Sequence, residues 1–167
     1  MDMLFWYISF LLIFLIHDGE EIIVQHRWVQ THRNQLEIKL KRLRLLVQHL
    51  AGLTTRGFAI AVLEEFVLLL AVTVYAFIGG PLALQIWMAL FVAFCLHFLM
   101  HIGQSVFLRS YVPGLITSVL FIPYAYFGLR YIYDEIGLLL LIILALCGVL
   151  VLAINLPLAH WLGRKLS

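Results

Sequence analysis

Nine ionisable residues sit where the surrounding sequence is suited to hydrocarbon: His17, Asp18, Glu20, Glu21, Glu64, Glu65, His97, His101 and His160. Ionisable groups inside apolar spans are costly, and they usually face a bundle interior and serve function. Their spacing is ordered. His17, Glu20 and Glu21 stand at i, i+3 and i+4, so they share one helix face. His97 and His101 stand at i and i+4, and Gln104 continues their stripe at i+7. Helical bundles build metal sites from facing side chains with this spacing. Glu64 and Glu65 are adjacent, about 100° apart on a helix. One of the two is therefore expected as a further ligand and the other as a general base or supporting group. Glu65 is included in the ligand set, and both are candidates for catalysis. Asp18 points away from the His17 face and is expected to bond locally. His160 joins the ligand candidates from the last apolar run. Asn155, followed by Pro157, is read as a helix kink or a supporting polar group.

Mixed imidazole and carboxylate donors suit Zn²⁺, with Fe or Mn as alternatives. A catalytic zinc takes about three protein ligands. The set here exceeds that, so one or two ions are expected. The simplest chemistry is hydrolysis: the ion acidifies a water and a spare Glu accepts its proton. A di-iron oxidase or desaturase is the rival within the enzyme class. An ion or proton carrier could use the same residues as a relay, but few polar residues continue the path to the opposite face. Haem held by His97 with His101 or His17 would need wider spacing and fewer acids. Cys95 and Cys147 fall inside apolar runs with no CxxC pair, so neither is given a role.

The run His17-Asp18-Gly19-Glu20-Glu21 in a small, nearly all-membrane chain resembles the family of integral membrane proteins named for its His-x-x-Glu-Glu motif. That resemblance implies a metal-dependent membrane enzyme of uncharacterised function. The Glu64-Glu65 pair and His97-x-x-x-His101 suit the same pattern. The inverted zinc-protease motif His-x-x-Glu-His is not matched, because Glu21 stands where its second His belongs, and protease chemistry is not carried over.

The elements that must position these residues follow from composition. The chain has 167 residues, 64% hydrophobic and 12% charged, with a mean hydropathy of +1.05. Ordinary globular domains are about half apolar and a quarter charged. The expected fold is an all-α polytopic membrane bundle in one domain spanning 1–167. Five transmembrane helices are expected, over about 4–24, 57–78, 82–107, 112–132 and 136–162. Asp2 stands where a signal peptide would carry basic residues, so 4–24 is read as a retained helix. Turns are expected at Gly79-Gly80-Pro81, at Arg109-Ser110 and at Tyr133-Asp134-Glu135.

Seven of the eleven Lys/Arg residues fall in 25–56, where Glu37 is the only acid. The positive-inside rule makes this loop cytoplasmic, with the N-terminus outside and the C-terminus inside. The expected location is an integral membrane, the plasma membrane if the chain is bacterial. Leu36, Leu40, Leu43, Val47 and Leu50 alternate with basic residues at helical spacing. An amphipathic helix lying on an anionic leaflet is therefore expected. The charge needs no nucleic-acid partner. From this topology, His17, Glu65, His101 and Asn155 each lie roughly 12–15 Å along their helices from a cytoplasmic Arg, and His160 roughly 6 Å. The polar residues thus converge on one slab near the cytoplasmic side. A lipid or other amphipathic molecule entering sideways is the expected substrate. An interfacial belt accounts for Tyr111, Tyr131 and Tyr133, and packing accounts for Tyr124.

Overall fold

The computed structural model describes residues 2–167. The side chain of Leu43, part of the expected amphipathic stripe, lies outside the described residues. Among those residues all regular structure is helical. Helix α1 runs Met3–Lys39, followed by a 3-10 turn, Lys41–Leu43, and a short α2, Arg44–Ala51. Helices α3 (Thr55–Phe77), α4 (Ala83–Leu108), α5 (Leu115–Leu120) and α6 (Ile122–Leu166) complete the chain.

Among the described residues, three helices are long and apolar enough to cross a membrane: α3, α4 and α6. Five separate spans were expected. Helix α1 is not one of the three: the same unbroken helix carries the acidic residues and, beyond them, Arg27, Arg33 and Lys39. Charge was expected to end this helix near residue 24. It does not, because residues 20–39 contain neither Gly nor Pro and nothing interrupts the i to i+4 bonding.

The 45 residues of α6 would measure about 67 Å if straight, against a hydrocarbon core of about 30 Å. Gly137 breaks it, with φ 73° and ψ 172°. The chain reverses there. Gly128, before the break, packs against Phe91 of α4, and Gly148, after it, packs against Ala89 and Ala93 of the same helix. The reversal falls two residues beyond the expected Tyr133-Asp134-Glu135 turn, which stays helical, because only the glycine tolerates the left-handed φ.

Helix α4 is central: 56% of its most apolar window is buried, against 11% for α6. Two kinds of packing surround it. Where small residues meet, backbones touch: Gly148 lies on the Ala89 carbonyl, and Gly163 of α6 lies on the Gly57 carbonyl of α3. Without a hydrophobic drive between helices in lipid, such close approaches are a main source of association. Between α1 and α4, by contrast, aromatic rings fill the gap. Trp6, Phe10 and Phe14 interleave with Trp87, Phe91 and Phe94, mostly edge to face. Large rings hold the two backbones apart and leave room for side chains at the end of the stack, where the histidines stand.

The C-terminal half of α1 acts as a strut. Lys39 Nζ donates to the Leu108 carbonyl at 2.8 Å and Gln35 Nε2 does so at 3.4 Å. A cation there also complements the C-terminal dipole of α4. Trp28 Nε1 donates to the Tyr111 carbonyl at 2.8 Å. The link between α4 and α5 is thereby fastened to α1.

Candidate metal centre

The aromatic stack ends at His17. Its ring meets Phe94 and Phe98 edge-on at 5.5 and 4.9 Å, then His97 and His101 at 5.2 and 5.0 Å. His17, Glu21, His97 and His101 each offer one ligand atom, and these atoms all lie within 4.8 Å of one another. His17, Glu21 and His101 are buried and His97 is half-buried. His101 Nε2 stands 2.8 Å from His97 Nε2 and 3.0 Å from Glu21 Oε1. Donor atoms of a tetrahedral zinc site with bonds near 2.0 Å stand about 3.3 Å apart. The His101–His97 and His101–Glu21 pairs would therefore need to open by only a few tenths of an ångström to admit an ion. The group could hold a metal ion.

His17 is oriented for this. Thr117 Oγ1 lies 2.6 Å from Glu20 Oε2 and 2.8 Å from His17 Nδ1. The carboxylate only accepts, so the single hydroxyl proton goes to Glu20 and the hydroxyl oxygen accepts from Nδ1–H. Nε2 then carries the lone pair. That atom is buried without a hydrogen-bond partner, as a ligand nitrogen awaiting an ion would be. A second hydrogen-bonding partner that fixes the tautomer is the usual support for a ligating histidine.

Glu20 was expected among the ligands, and the structure turns it elsewhere. Its carboxylate accepts from Tyr111 Oη at 2.7 Å, from Thr117 N at 2.8 Å and from Ile116 N at 3.3 Å, besides the Thr117 hydroxyl. It caps the N-terminus of α5, where free amides and the helix dipole favour a negative charge. The reason lies in azimuth. Glu20 and Glu21 differ by about 100° around α1, so one can face α4 only if the other faces α5. Tyr111, expected at an interfacial belt, is thus a support of the site. Burial, and then its bond to Glu20, raise its phenol above the ordinary value.

His160 also stands outside the group. Its Nδ1 lies 3.3 Å from His49 Nε2, joining α6 to α2. His49 is held below its ordinary value by burial and by Arg164. Glu64 accepts from Asn155 Nδ2 at 3.1 Å, so that pair ties α3 to α6. Glu65 is half-buried on α3 and is not in the four-residue group. Asp18 is 5% exposed, and its Oδ2 has no hydrogen-bond partner.

Two contributors carry no charge and escaped the sequence reading. Thr117 is one. Gly114, with φ +79°, is the other: a Cβ there would lie 2.9 Å from both Glu21 Oε1 and His101 Cε1. The backbone of the α4–α5 link therefore covers the group at van der Waals range, which only glycine permits.

Fold and site together define a helical membrane protein with a buried cluster of three histidines and one glutamate between its first and fourth helices. The family model described as proteins of unknown function with an HXXEE motif matches residues 8–127, and the chain belongs to that family. His17, Glu20 and Glu21 are the motif's defining residues, and residues 8–127 also take in Gly114, Thr117, His97 and His101. No curated protein and no solved structure matches the chain.

Proposed function

We propose that the chain is a metal-dependent membrane hydrolase acting on a lipid or amphipathic substrate near the cytoplasmic face. The observation that carries the reading is the convergence of His17, Glu21, His97 and His101 within 4.8 Å, with His17 fixed in the tautomer that frees Nε2. Three imidazoles and one carboxylate suit Zn²⁺ best, ahead of Fe or Mn. When bound, the ion would act as a Lewis acid and lower the pKa of a water in the site. The chain's own residues supply the rest. Thr117 and Glu20 hold the His17 ring in place. The Gly114 backbone closes the group from one side and restricts water. Glu64 and Glu65 on α3 are the candidates for general base.

The topology proposed with this activity puts the N-terminus outside and residues 25–56 on the cytoplasmic leaflet, where their excess of Lys and Arg belongs. In that arrangement the site lies within a headgroup's reach of the cytoplasmic surface.

The test is metal content followed by turnover. Protein purified in mild detergent without metal-affinity resin is expected to carry zinc, lost in His97→Ala and His101→Ala. It should release water-soluble or acyl products from vesicles of the host's lipids, and chelation should stop this. Iron in place of zinc, with turnover that requires oxygen, would replace the hydrolase reading by an oxidase one. Well-folded wild type that takes up no metal when zinc is offered sinks the metal-dependent reading altogether.

A further inference from the structure

Helix α2 is fastened on two sides by different chemistry. Toward α1 and α4, Val47 is 2% exposed and packs with Leu36, Leu108 and Val112. Gln30 Nε2 donates to the Ala51 carbonyl at 2.7 Å. His26 Nδ1 lies 2.9 Å from the Leu53 carbonyl, so it donates there. None of these contacts depends on a neutral imidazole, because a protonated His26 is still a donor.

Toward α6 the hold is of another kind. Among the described residues, the hydrogen bond that joins α2 to α6 runs between His49 Nε2 and His160 Nδ1, at 3.3 Å. The two ring centroids are 5.4 Å apart. His160 is buried, and the Phe58 ring of α3 lies 6.0 Å from it. For the bond to exist, one of the two facing nitrogens must keep its lone pair. A first proton on the pair leaves that possible. A second sets N–H against N–H, two donors without an acceptor. The surroundings do little to offset the charge. Arg164 stands one turn beyond His160 on α6 and acts on both rings. Helix α3 presents the uncharged ring of Phe58. From α1, Glu21 acts on His160 more weakly, and its carboxylate is already engaged by His101.

We propose that His49 and His160 form an acid-operated latch, which holds α2 against α6 at neutral pH and releases it when both rings are protonated. Helix α2 then swings from α6 while staying on α1, because its contacts there are indifferent to acid. Release uncovers His160 and Phe58, at the end of the α3–α6 seam where Gly163 meets Gly57. The open arrangement binds more protons than the closed one, so acid favours it. Burial and Arg164 hold His49 below its ordinary value of 6.5, which sets the release below that pH. Both histidines lie outside the four-residue group, and the latch does not depend on what that group binds.

The test is a pair of spin-label distances on the full chain in detergent. Cys95→Ser and Cys147→Ser remove the native thiols. Labels at Gln48→Cys and Leu166→Cys report α2 against α6, and labels at Gln48→Cys and Asn34→Cys report α2 against α1. All three label positions are exposed. From about pH 8 to about pH 5, the α2–α6 distance should lengthen by several ångströms while the α2–α1 distance holds. His49→Gln keeps a donor and an acceptor but cannot take a charge, so its α2–α6 distance should stay short throughout. Its unchanged α2–α1 distance shows that it folds. His26→Gln should respond as wild type does. An α2–α6 distance indifferent to acid overturns the latch. So does a His49→Gln variant that opens as wild type does. Both distances lengthening together overturn it as well, because α2 would then be melting rather than swinging. Any of these results leaves the metal-dependent reading as it stands, because no ion enters the measurement.

Discussion

Thr117 and Gly114 carry the sharpest residue-scale predictions, because neither supplies a ligand. Thr117→Val keeps the shape but leaves His17 Nδ1–H and Glu20 without the hydroxyl between them. Metal affinity should fall about 10- to 100-fold, as it does when supporting partners of ligating histidines are removed. Competition with a fluorescent chelator measures it, and an unchanged affinity would remove Thr117 from the site. Gly114→Ala forces a side chain into a left-handed φ and against Glu21 and His101. It should cost about 1–3 kcal/mol of stability, read as a lower melting temperature, with weakened zinc retention. Much of this scale was legible in the sequence. The i, i+4 pairs His17/Glu21 and His97/His101 and their common depth were enough to place those four residues together. Depth is not azimuth, however. Glu20 satisfied the spacing and depth criteria, yet it faces a different neighbour, as does the shallower His160. Thr117 and Gly114 gave no signal because a hydroxyl and a missing Cβ look ordinary in an apolar run. Glu20 was the available clue, since a carboxylate turned from the ligand face still needs donors.

At the scale of elements, the long α1 joins the site to the basic segment. Lys39→Met removes the cation from the α4 C-terminus while keeping the apolar stem. It should lower stability by about 0.3–1 kcal/mol and increase amide exchange across 109–114, the link that covers the cluster. Exchange confined to α1 itself would show that the strut does not hold the link. The α2–α6 junction should respond to acid. His49 is held below its ordinary value of 6.5 by burial, then by Arg164. The folded state thus binds this proton less readily than the unfolded chain. Its contribution is fully present above pH 6.5 and is lost as pH falls below it. His49→Gln should flatten that part of the stability–pH curve, and an unchanged slope would exclude His49 as its source. Element boundaries were less legible than element existence. Charge ends a membrane span, but it does not end a helix, so α1 continues fifteen residues past the expected boundary at 24 to Lys39. The reversal near 135 was legible from its turn residues, and its placement at Gly137 follows from the one residue free to adopt φ 73°.

For the whole molecule, the two packing styles predict different sensitivities. The α4–α6 and α3–α6 contacts depend on glycine, so Gly148→Val should drive a side chain into the Ala89 carbonyl and cost several kcal/mol. The α1–α4 contact is built of rings and is completed by the polar cluster. Metal binding to the folded state alone adds about 2.7 kcal/mol at a hundredfold excess over Kd. Chelation should therefore lower the melting temperature of wild type, and zinc should restore it. A melting temperature indifferent to both would mean that nothing binds. Acidification should also release the ion, because imidazole and carboxylate ligands must be deprotonated to bind.

Thr117 is separated from His17 by 100 residues of chain, and that distance has a consequence for biogenesis. The ribosome completes α1 well before α4 and α5 exist. His17, Asp18, Glu20 and Glu21 must then wait without His97, His101, Thr117 or the amides of α5. An apolar helix bearing four polar groups is a poor resident of lipid on its own. Its settled position is thus expected to be acquired late, when the second half of the chain inserts. A chain truncated after Phe77 should leave α1 loosely integrated and extractable by alkaline carbonate, whereas the full chain should resist extraction.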